Sequence, residues 1–84
     1  MALNERAKLQ SDVCELIARI LELRPSSPSV DVLRRDTREW DSLKHMEIVF
    51  ALEDRFGVTF DEAEFPALDS CAAIAAAVRR HLEA

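Results

Sequence analysis

Apolar residues recur at helical spacing in three separate segments of this chain. The first segment begins near Asn4 and is expected to end before Pro25, because the residue preceding a proline avoids the α region. Its apolar face consists of Leu9, Val13, Leu16, Ile17, Ile20 and Leu23. No segment alternates apolar and polar residues as a half-buried strand would. The pattern therefore predicts an all-α fold.

The second periodic segment predicts a helix from about Ser42 to Phe56. Asp41 is a suitable N-cap, because its carboxylate can accept hydrogen bonds from the free N–H groups of the first turn. Gly57, the only glycine in the chain, follows where a left-handed residue closes many helices.

A short third helix and a longer last helix complete the predicted bundle. Thr59 and Glu62 have the spacing of a capping box, and Pro66 is expected to end the short helix. Asp69 or Ser70 caps the last helix, whose buried face is expected to hold Cys71, Ile74, Ala75, Val78 and Leu82. Three main helices and one short helix predict a small four-helix bundle.

Residues 24–41 separate the first two helices and contain two prolines and three serines. This composition predicts a loop, and a loop of this length in a compact domain is often functional. Val30, Val32 and Leu33 are expected to pin it to the core.

The bulk properties exclude several classes of protein. A chain of 84 residues makes one small domain with little room for an enclosed catalytic pocket. It contains no apolar run long enough to span a membrane, and its first residues lack the apolar core of a signal peptide, so a cytoplasmic location is expected. Cys14 and Cys71 are far apart, without histidines at metal spacing, so no metal site is expected and both thiols are interpreted as half-buried helix residues.

The net charge of −5 is concentrated in one segment and argues against nucleic-acid binding. Residues 41–64 hold seven acidic residues against Lys44 and Arg55, whereas acids and bases balance elsewhere. Such a local field favours a basic protein partner.

The second helix has more apolar surface than one core-facing stripe requires. With about 100° per residue, its stripe consists of Ile48, Val49, Leu52 and Phe56. Three more apolar residues alternate with three acids on the side of Ser42, while Lys44 and Arg55 lie on the other flank. This mixed set is Leu43, Met46, Glu47, Phe50, Glu53 and Asp54. It predicts a docking surface, although the apolar members could instead cover the long loop.

Ser42 could act as a nucleophile, a helix cap or an attachment point. His45 and Asp41 are near in sequence, but no elbow, oxyanion site or pocket supports a catalytic triad, so an esterase is the least favoured interpretation. The start of a helix stabilises an anion, so a phosphate attached to the Ser42 hydroxyl would be favoured there.

The segment WDSLKHMEIVFALEDRFGVTF resembles the second helix of acyl carrier proteins. Asp41, Ser42 and Leu43 match the family motif residue for residue. The match continues through Glu47, Ile48, Ala51, Leu52, Glu53, Asp54 and Phe56. The helical layout extends the resemblance, more loosely, over nearly the whole chain, and residues 1–84 are expected to form a single free-standing carrier domain.

The resemblance implies that Ser42 carries 4′-phosphopantetheine, donated from coenzyme A by a separate phosphopantetheinyl transferase. The thiol of this arm would hold acyl groups as thioesters, and the chain itself would not be an enzyme. An acyl- or aminoacyl-loading ligase and downstream transferases with basic docking surfaces are the implied partners of a monomeric carrier. Family precedent also implies that Phe50 and Leu52 line a cavity for the acyl chain.

Three residues depart from fatty-acid carriers. Lys44 stands where an acid is usual, His45 could contact the phosphate or simply pack, and Trp40 is more typical of specialised carriers. A specialised biosynthetic pathway is therefore expected. The alternatives are an aminoacyl or peptidyl carrier and an unmodified helical interaction module. A second Asp-Ser pair, at Ser70, lacks the following leucine and is interpreted as a helix cap.

Overall fold

The computed structural model describes residues 2–23 and 32–83, which form a small helical bundle. Its α-helices are α1 (Leu3–Ile20), α2 (Ser42–Phe56) and α3 (Cys71–Glu83). The first 3₁₀ helix is Arg34–Asp36 and the second is Glu62–Ala67. The predicted all-α, four-helix carrier-like bundle is confirmed, with the second 3₁₀ helix as its short element. Across these two described ranges, no helix is long and apolar enough to cross a bilayer.

The core lies where α1 packs against both α2 and α3. Its fully buried side chains include Val13, Ile17, Ile48, Val49, Leu52, Leu68, Cys71, Ile74 and Val78. Leu82 was predicted on the buried face of α3 but is 45% exposed, because it lies in the last turn, where packing partners are fewer. Cys14 is half-buried as expected, whereas Cys71 is completely buried.

The helix α1 ends before Pro25, as expected, but earlier than the apolar pattern predicts, because a backbone motif closes it and Leu23 lies beyond its last residue. Pro25 itself lies outside the described residues. The helix ends at Ile20, and Glu22 takes a left-handed conformation with φ 57°. The Leu23 N–H donates to the Ala18 carbonyl at 2.9 Å, and the Glu22 N–H donates to the Arg19 carbonyl at 3.2 Å. These two bonds form a Schellman motif, which satisfies the last carbonyls of the helix.

Glycine at position 22 should stabilise the protein. A left-handed conformation costs an L-residue roughly 1–2 kcal/mol, and glycine avoids this strain at some cost in unfolded-state entropy. We expect Glu22→Gly to raise the free energy of unfolding by about 0.5–1 kcal/mol and the melting temperature by about 4 °C.

The matched control is Gly57→Ala, since Gly57 ends α2 with φ 68° and an added Cβ would meet nothing within 4 Å. It introduces the same backbone strain and should lower stability by about 1 kcal/mol. Thermal melts of both variants test this, and a Glu22→Gly chain no more stable than the wild type would contradict the assignment.

The described part of the first loop is attached to the start of α3. Leu33 and Ser70 form an isolated antiparallel bridge. The Arg34 N–H donates to the Asp69 carbonyl at 2.8 Å, and the Cys71 N–H donates to the Val32 carbonyl at 3.1 Å. Val32 packs against the core as predicted and Leu33 is half-buried, whereas Val30 lies outside the described residues.

The second 3₁₀ helix differs in detail from the predicted short helix. Its capping box pairs Asp61 with Glu64, not Thr59 with Glu62, and the Asp61 N–H donates to Glu64 Oε2 at 2.8 Å. Pro66 lies within the helix, which ends one residue later at Ala67. The box shifts because the helix starts at Glu62, so that residue cannot occupy its third position.

Glu64 also attaches this helix to α3. His81 Nε2 lies 2.9 Å from Glu64 Oε1, and the His81 ring meets Phe60 edge-on with centroids 5.0 Å apart. The hydrogen bond from His81 holds the pKa of Glu64 below its ordinary value, assisted by the Asp61 N–H. These contacts fix the second 3₁₀ helix against the last turn of α3.

Candidate functional site

Ser42 is the first residue of α2 and its side chain is exposed. Asp41 is the N-cap, as predicted: it is extended, and its Oδ1 accepts a hydrogen bond from the Lys44 N–H at 2.9 Å. The Asp41 carbonyl accepts from the His45 N–H at 2.8 Å, which is the first backbone bond of the helix. The hydroxyl of Ser42 therefore projects from the outer surface of a well-formed helix start.

The first turn of α2 is suited to an anion. The N–H groups of Ser42 and Leu43 precede the first intrahelical bond, so they have no carbonyl acceptor within the helix. Their direction and the helix dipole favour a negative charge at this end. A phosphodiester on the Ser42 oxygen would lie beside these donors, so the residues present fit such a group.

Beside Ser42, a buried polar chain joins three elements. Trp40 and His45 are only 3% and 5% exposed. The Trp40 indole Nε1–H donates to His45 Nδ1 at 2.9 Å, and His45 Nε2 lies 3.0 Å from the Phe65 carbonyl oxygen. Since an indole only donates and a carbonyl only accepts, the ring is the neutral tautomer that carries its proton on Nε2.

The environment of His45 favours its neutral form. Burial lowers the pKa of His45 below its ordinary value of 6.5, and the nearby positive charge of Arg34 acts in the same direction. The bond to the Phe65 carbonyl and the charge of Asp69 oppose this shift only in part.

This placement answers the two expectations for His45. It packs in the interior and does not reach out to a phosphate on Ser42. Both ring nitrogens already have partners, so His45 does not serve as a base for Ser42, and the geometry of a catalytic triad is missing from this site.

The second Asp-Ser pair has a different environment. Ser70 is buried, and its Oγ accepts from the Ala73 N–H at 3.0 Å. Of the two predicted caps for α3, the structure therefore has Ser70. Its hydroxyl is engaged in the interior, in contrast to the exposed hydroxyl of Ser42.

The outer side of α2 carries the apolar residues of the predicted docking surface. Leu43 is 71% exposed and Phe50 is 61% exposed, while Met46 is half-buried. The core stripe is as predicted, with Ile48 and Leu52 fully buried. Phe50 and Leu52 thus lie on different faces of the helix, so the expectation that they line one cavity is wrong.

The acids of this surface differ in their surroundings. Asp54 and Glu47 are exposed, and Glu47 Oε2 lies 3.4 Å from Lys44 Nζ. Lys44 was placed on the opposite flank, but its long side chain reaches across one turn to Glu47. Glu53 is half-buried, and its Oε2 accepts from the Phe60 N–H at 2.9 Å, so it also supports the segment after α2.

An open cleft of about 510 Å³ lies next to the loop that leads into α2. Leu33, Arg34, Arg35, Trp40, Asp69 and Ser70 line it. Sequence reasoning did not anticipate this cleft, because it arises from the bridge between the first loop and the start of α3, which join residues distant in sequence.

A small helical bundle with an exposed serine at the start of its second helix has the architecture of a carrier domain. Residues 11–78 match the family model described as phosphopantetheine attachment site, and this chain belongs to that family. Searches of curated proteins and of solved structures found no match.

The family assignment establishes the prosthetic group and the general role. Members carry a covalently attached 4′-phosphopantetheine, so this chain is a phosphopantetheine-bearing carrier protein. Such domains are not catalytic in themselves. Their role implies interaction with a phosphopantetheinyl transferase and with further partner enzymes.

Proposed function

We propose that Ser42 is the attachment residue and that the chain presents acyl intermediates of a specialised biosynthetic pathway to successive enzymes. The arm supplies a thiol that holds an acyl group as a thioester. Every other contribution comes from the chain itself, which must position the hydroxyl, accommodate the phosphate and offer a surface to its partners.

The observation that carries this proposal is the contrast between the two serines that follow an aspartate. Ser42 is exposed at a helix start with open N–H groups, whereas Ser70 is buried and caps α3 with its own Oγ. Attachment at Ser42 leaves the fold intact, since that hydroxyl has no structural partner to lose among the described residues. Asp41 caps the start of α2, because its carboxylate accepts a hydrogen bond from the Lys44 N–H. Leu43 follows the attachment residue directly.

The partner surface proposed for α2 consists of Leu43, Met46, Glu47, Phe50, Glu53 and Asp54. Exposed Leu43 and Phe50 would provide apolar contact, while Glu47 and Asp54 would attract basic residues. Glu53 contributes charge from a fixed position, because its carboxylate is bonded to the backbone of Phe60. The transferase, a loading ligase and downstream transferases are the proposed users of this surface.

A specialised pathway is favoured over general fatty-acid synthesis by Trp40 and Lys44. Trp40 is a buried part of the polar chain next to the attachment residue, and Lys44 neutralises part of the acidic surface through Glu47. We propose a monomeric carrier domain with its partner surface on α2.

The direct test is to incubate the purified chain with a promiscuous phosphopantetheinyl transferase, magnesium and coenzyme A. Intact-mass measurement should show one addition of about 340 Da, the mass of a single covalent arm. Addition of two arms, or of none with several transferases, would contradict the proposal.

A further inference from the structure

We propose that the hydrogen bonds linking Trp40, His45 and Phe65 position Ser42 for modification. Protonation of His45 breaks the bond to Trp40 and so ends this positioning. This inference rests on the proposed attachment at Ser42. It assigns Trp40 and His45 as positioning residues, which act on the attachment residue through the backbone and not by contact with the incoming group.

The first support is the placement of the buried bond. Trp40 lies two residues before Ser42 and His45 lies three residues after it, and the indole–imidazole bond of 2.9 Å connects them. Of the four residues between them, Asp41, Ser42 and Leu43 are exposed and Lys44 is half-buried. A buried hydrogen bond therefore joins the two residues that flank residues 41–44, which we call the attachment segment. This bond limits the directions in which Ser42 can point.

The second support is that both ends of this contact are anchored. The Trp40 N–H donates to the Thr37 carbonyl at 3.0 Å, and Thr37 Oγ1 donates to the Leu33 carbonyl at 2.7 Å. Leu33 is bridged to the start of α3. At the other end, His45 Nε2–H reaches Phe65 in the second 3₁₀ helix. These contacts thus fix the attachment segment relative to the first loop, α3 and the second 3₁₀ helix.

The third support is the chemistry of the central residue. Neutral His45 uses one acceptor and one donor, which match its two partners. A second proton would go on Nδ1, where it would face the Trp40 N–H, another donor. The bond to Trp40 cannot survive this change, so acid should free the indole while leaving the Phe65 contact available.

The charged groups around His45 set the range in which this release occurs. Arg34 faces it from the first 3₁₀ helix and Asp69 from the residues preceding α3, with opposite effects. At the N-cap of α2, Asp41 accepts a hydrogen bond from the Lys44 N–H, and on the helix Lys44 pairs with Glu47. In the second 3₁₀ helix, Glu64 is directed to His81.

The sign of the pH effect follows from the lowered pKa of His45. Below about pH 6.5 the unfolded chain binds a proton at this position more readily than the folded chain does. Folding stability due to neutral His45 is therefore fully present above that pH. It decreases as the pH falls toward the lower folded-state pKa, and the release of Trp40 accompanies this decrease.

The test uses the sole tryptophan of the chain as a reporter. In the ¹⁵N-labelled apo protein, the indole N–H resonance should titrate together with the His45 ring between about pH 8 and about pH 5, with a midpoint below 6.5. Hydrogen exchange of the Lys44 amide, which Asp41 holds, reports the order of the attachment segment.

Three variants separate positioning from general stability. His45→Leu and Trp40→Phe should each raise the Lys44 amide exchange rate about tenfold and lower the kcat of the transferase by a similar factor, with KM little changed. The side chain of His45→Gln can accept a hydrogen bond from Trp40 and donate one to Phe65. This variant should therefore bring the Lys44 exchange rate and the transferase kcat most of the way back to their wild-type values. The control is Val13→Ala, a destabilising change in the core of α1, which should leave kcat unaltered.

The inference is overturned if the indole resonance does not follow His45, if Lys44 exchange is unchanged in Trp40→Phe, or if Val13→Ala reproduces the kinetic loss. The resonance and exchange measurements need no transferase. If the wild-type protein is never modified, the proposed attachment fails. The resonance and exchange measurements still decide whether the Trp40–His45–Phe65 hydrogen bonds position Ser42.

Discussion

A chain with Ser42→Ala should accept no phosphopantetheine under conditions in which the wild-type chain is fully modified. Alanine removes the only oxygen at the helix start that can form the phosphoester bond. Since the Ser42 side chain is exposed and Asp41 remains the N-cap, the fold should be unaffected. Intact-mass measurement after incubation with the transferase, together with a thermal melt, checks both expectations.

Ser70→Ala is the matched control for this result. Loss of the bond from the Ala73 N–H to Ser70 Oγ should lower stability by about 1 kcal/mol, as for other helix caps. The variant should nevertheless be modified at the wild-type rate. If the Ser42→Ala chain is modified normally, or if a folded Ser70→Ala chain is no longer modified, Ser42 is not the attachment residue.

The double reversal Glu47→Lys and Asp54→Lys should slow modification by the transferase about tenfold at low ionic strength. These two acids are exposed on the outer side of α2, and a basic partner surface would be attracted to them during approach. Loss of the exposed pair between Glu47 and Lys44 should change stability little. The measurement is kcat/KM across a salt series, with the difference shrinking as ions screen charges beyond about 10 Å at 0.1 M.

The control for this prediction is the double reversal Glu5→Lys and Glu15→Lys on α1. Both residues are exposed, and the change in net charge is the same. If the α1 variant is slowed equally, total charge and not the α2 surface governs association. If the α2 variant keeps the wild-type rate at low salt, the acidic side of α2 is merely solvated.

The parts of the fold that follow from local chemistry could be predicted from the sequence. The limits of α2 depend on a capping aspartate and on a glycine with positive φ, and both are recognisable from residue type. The end of α1 at Ile20 depends on a left-handed glutamate, which no residue preference favours, so the sequence pattern extended the helix to Leu23. The sequence offers two overlapping pairs with capping-box spacing, Thr59 with Glu62 and Asp61 with Glu64. The second 3₁₀ helix uses the latter pair, which the sequence pattern alone does not distinguish.

The buried polar chain at the site depends on tertiary contacts. His45 lies at helical spacing with Ile48, Val49 and Leu52, and this spacing could have indicated that its ring faces the core. Nothing local indicates that Phe65, twenty residues later, supplies the second partner. Similarly, the motif and the helix start pointed to Ser42, whereas the Glu53–Phe60 bond and the Lys44–Glu47 pair required the folded structure.

Attachment at Ser42 is tested most directly by mapping the arm on the wild-type protein. Trypsin cleaves after Arg38 and Lys44, which releases residues 39–44 with Ser42 as their only hydroxyl residue. Ser70 falls in a separate peptide that follows Arg55. Fragmentation of the modified protein should show the added mass of about 340 Da on the peptide 39–44. An arm found on the Ser70 peptide, with peptide 39–44 unmodified, would contradict the account.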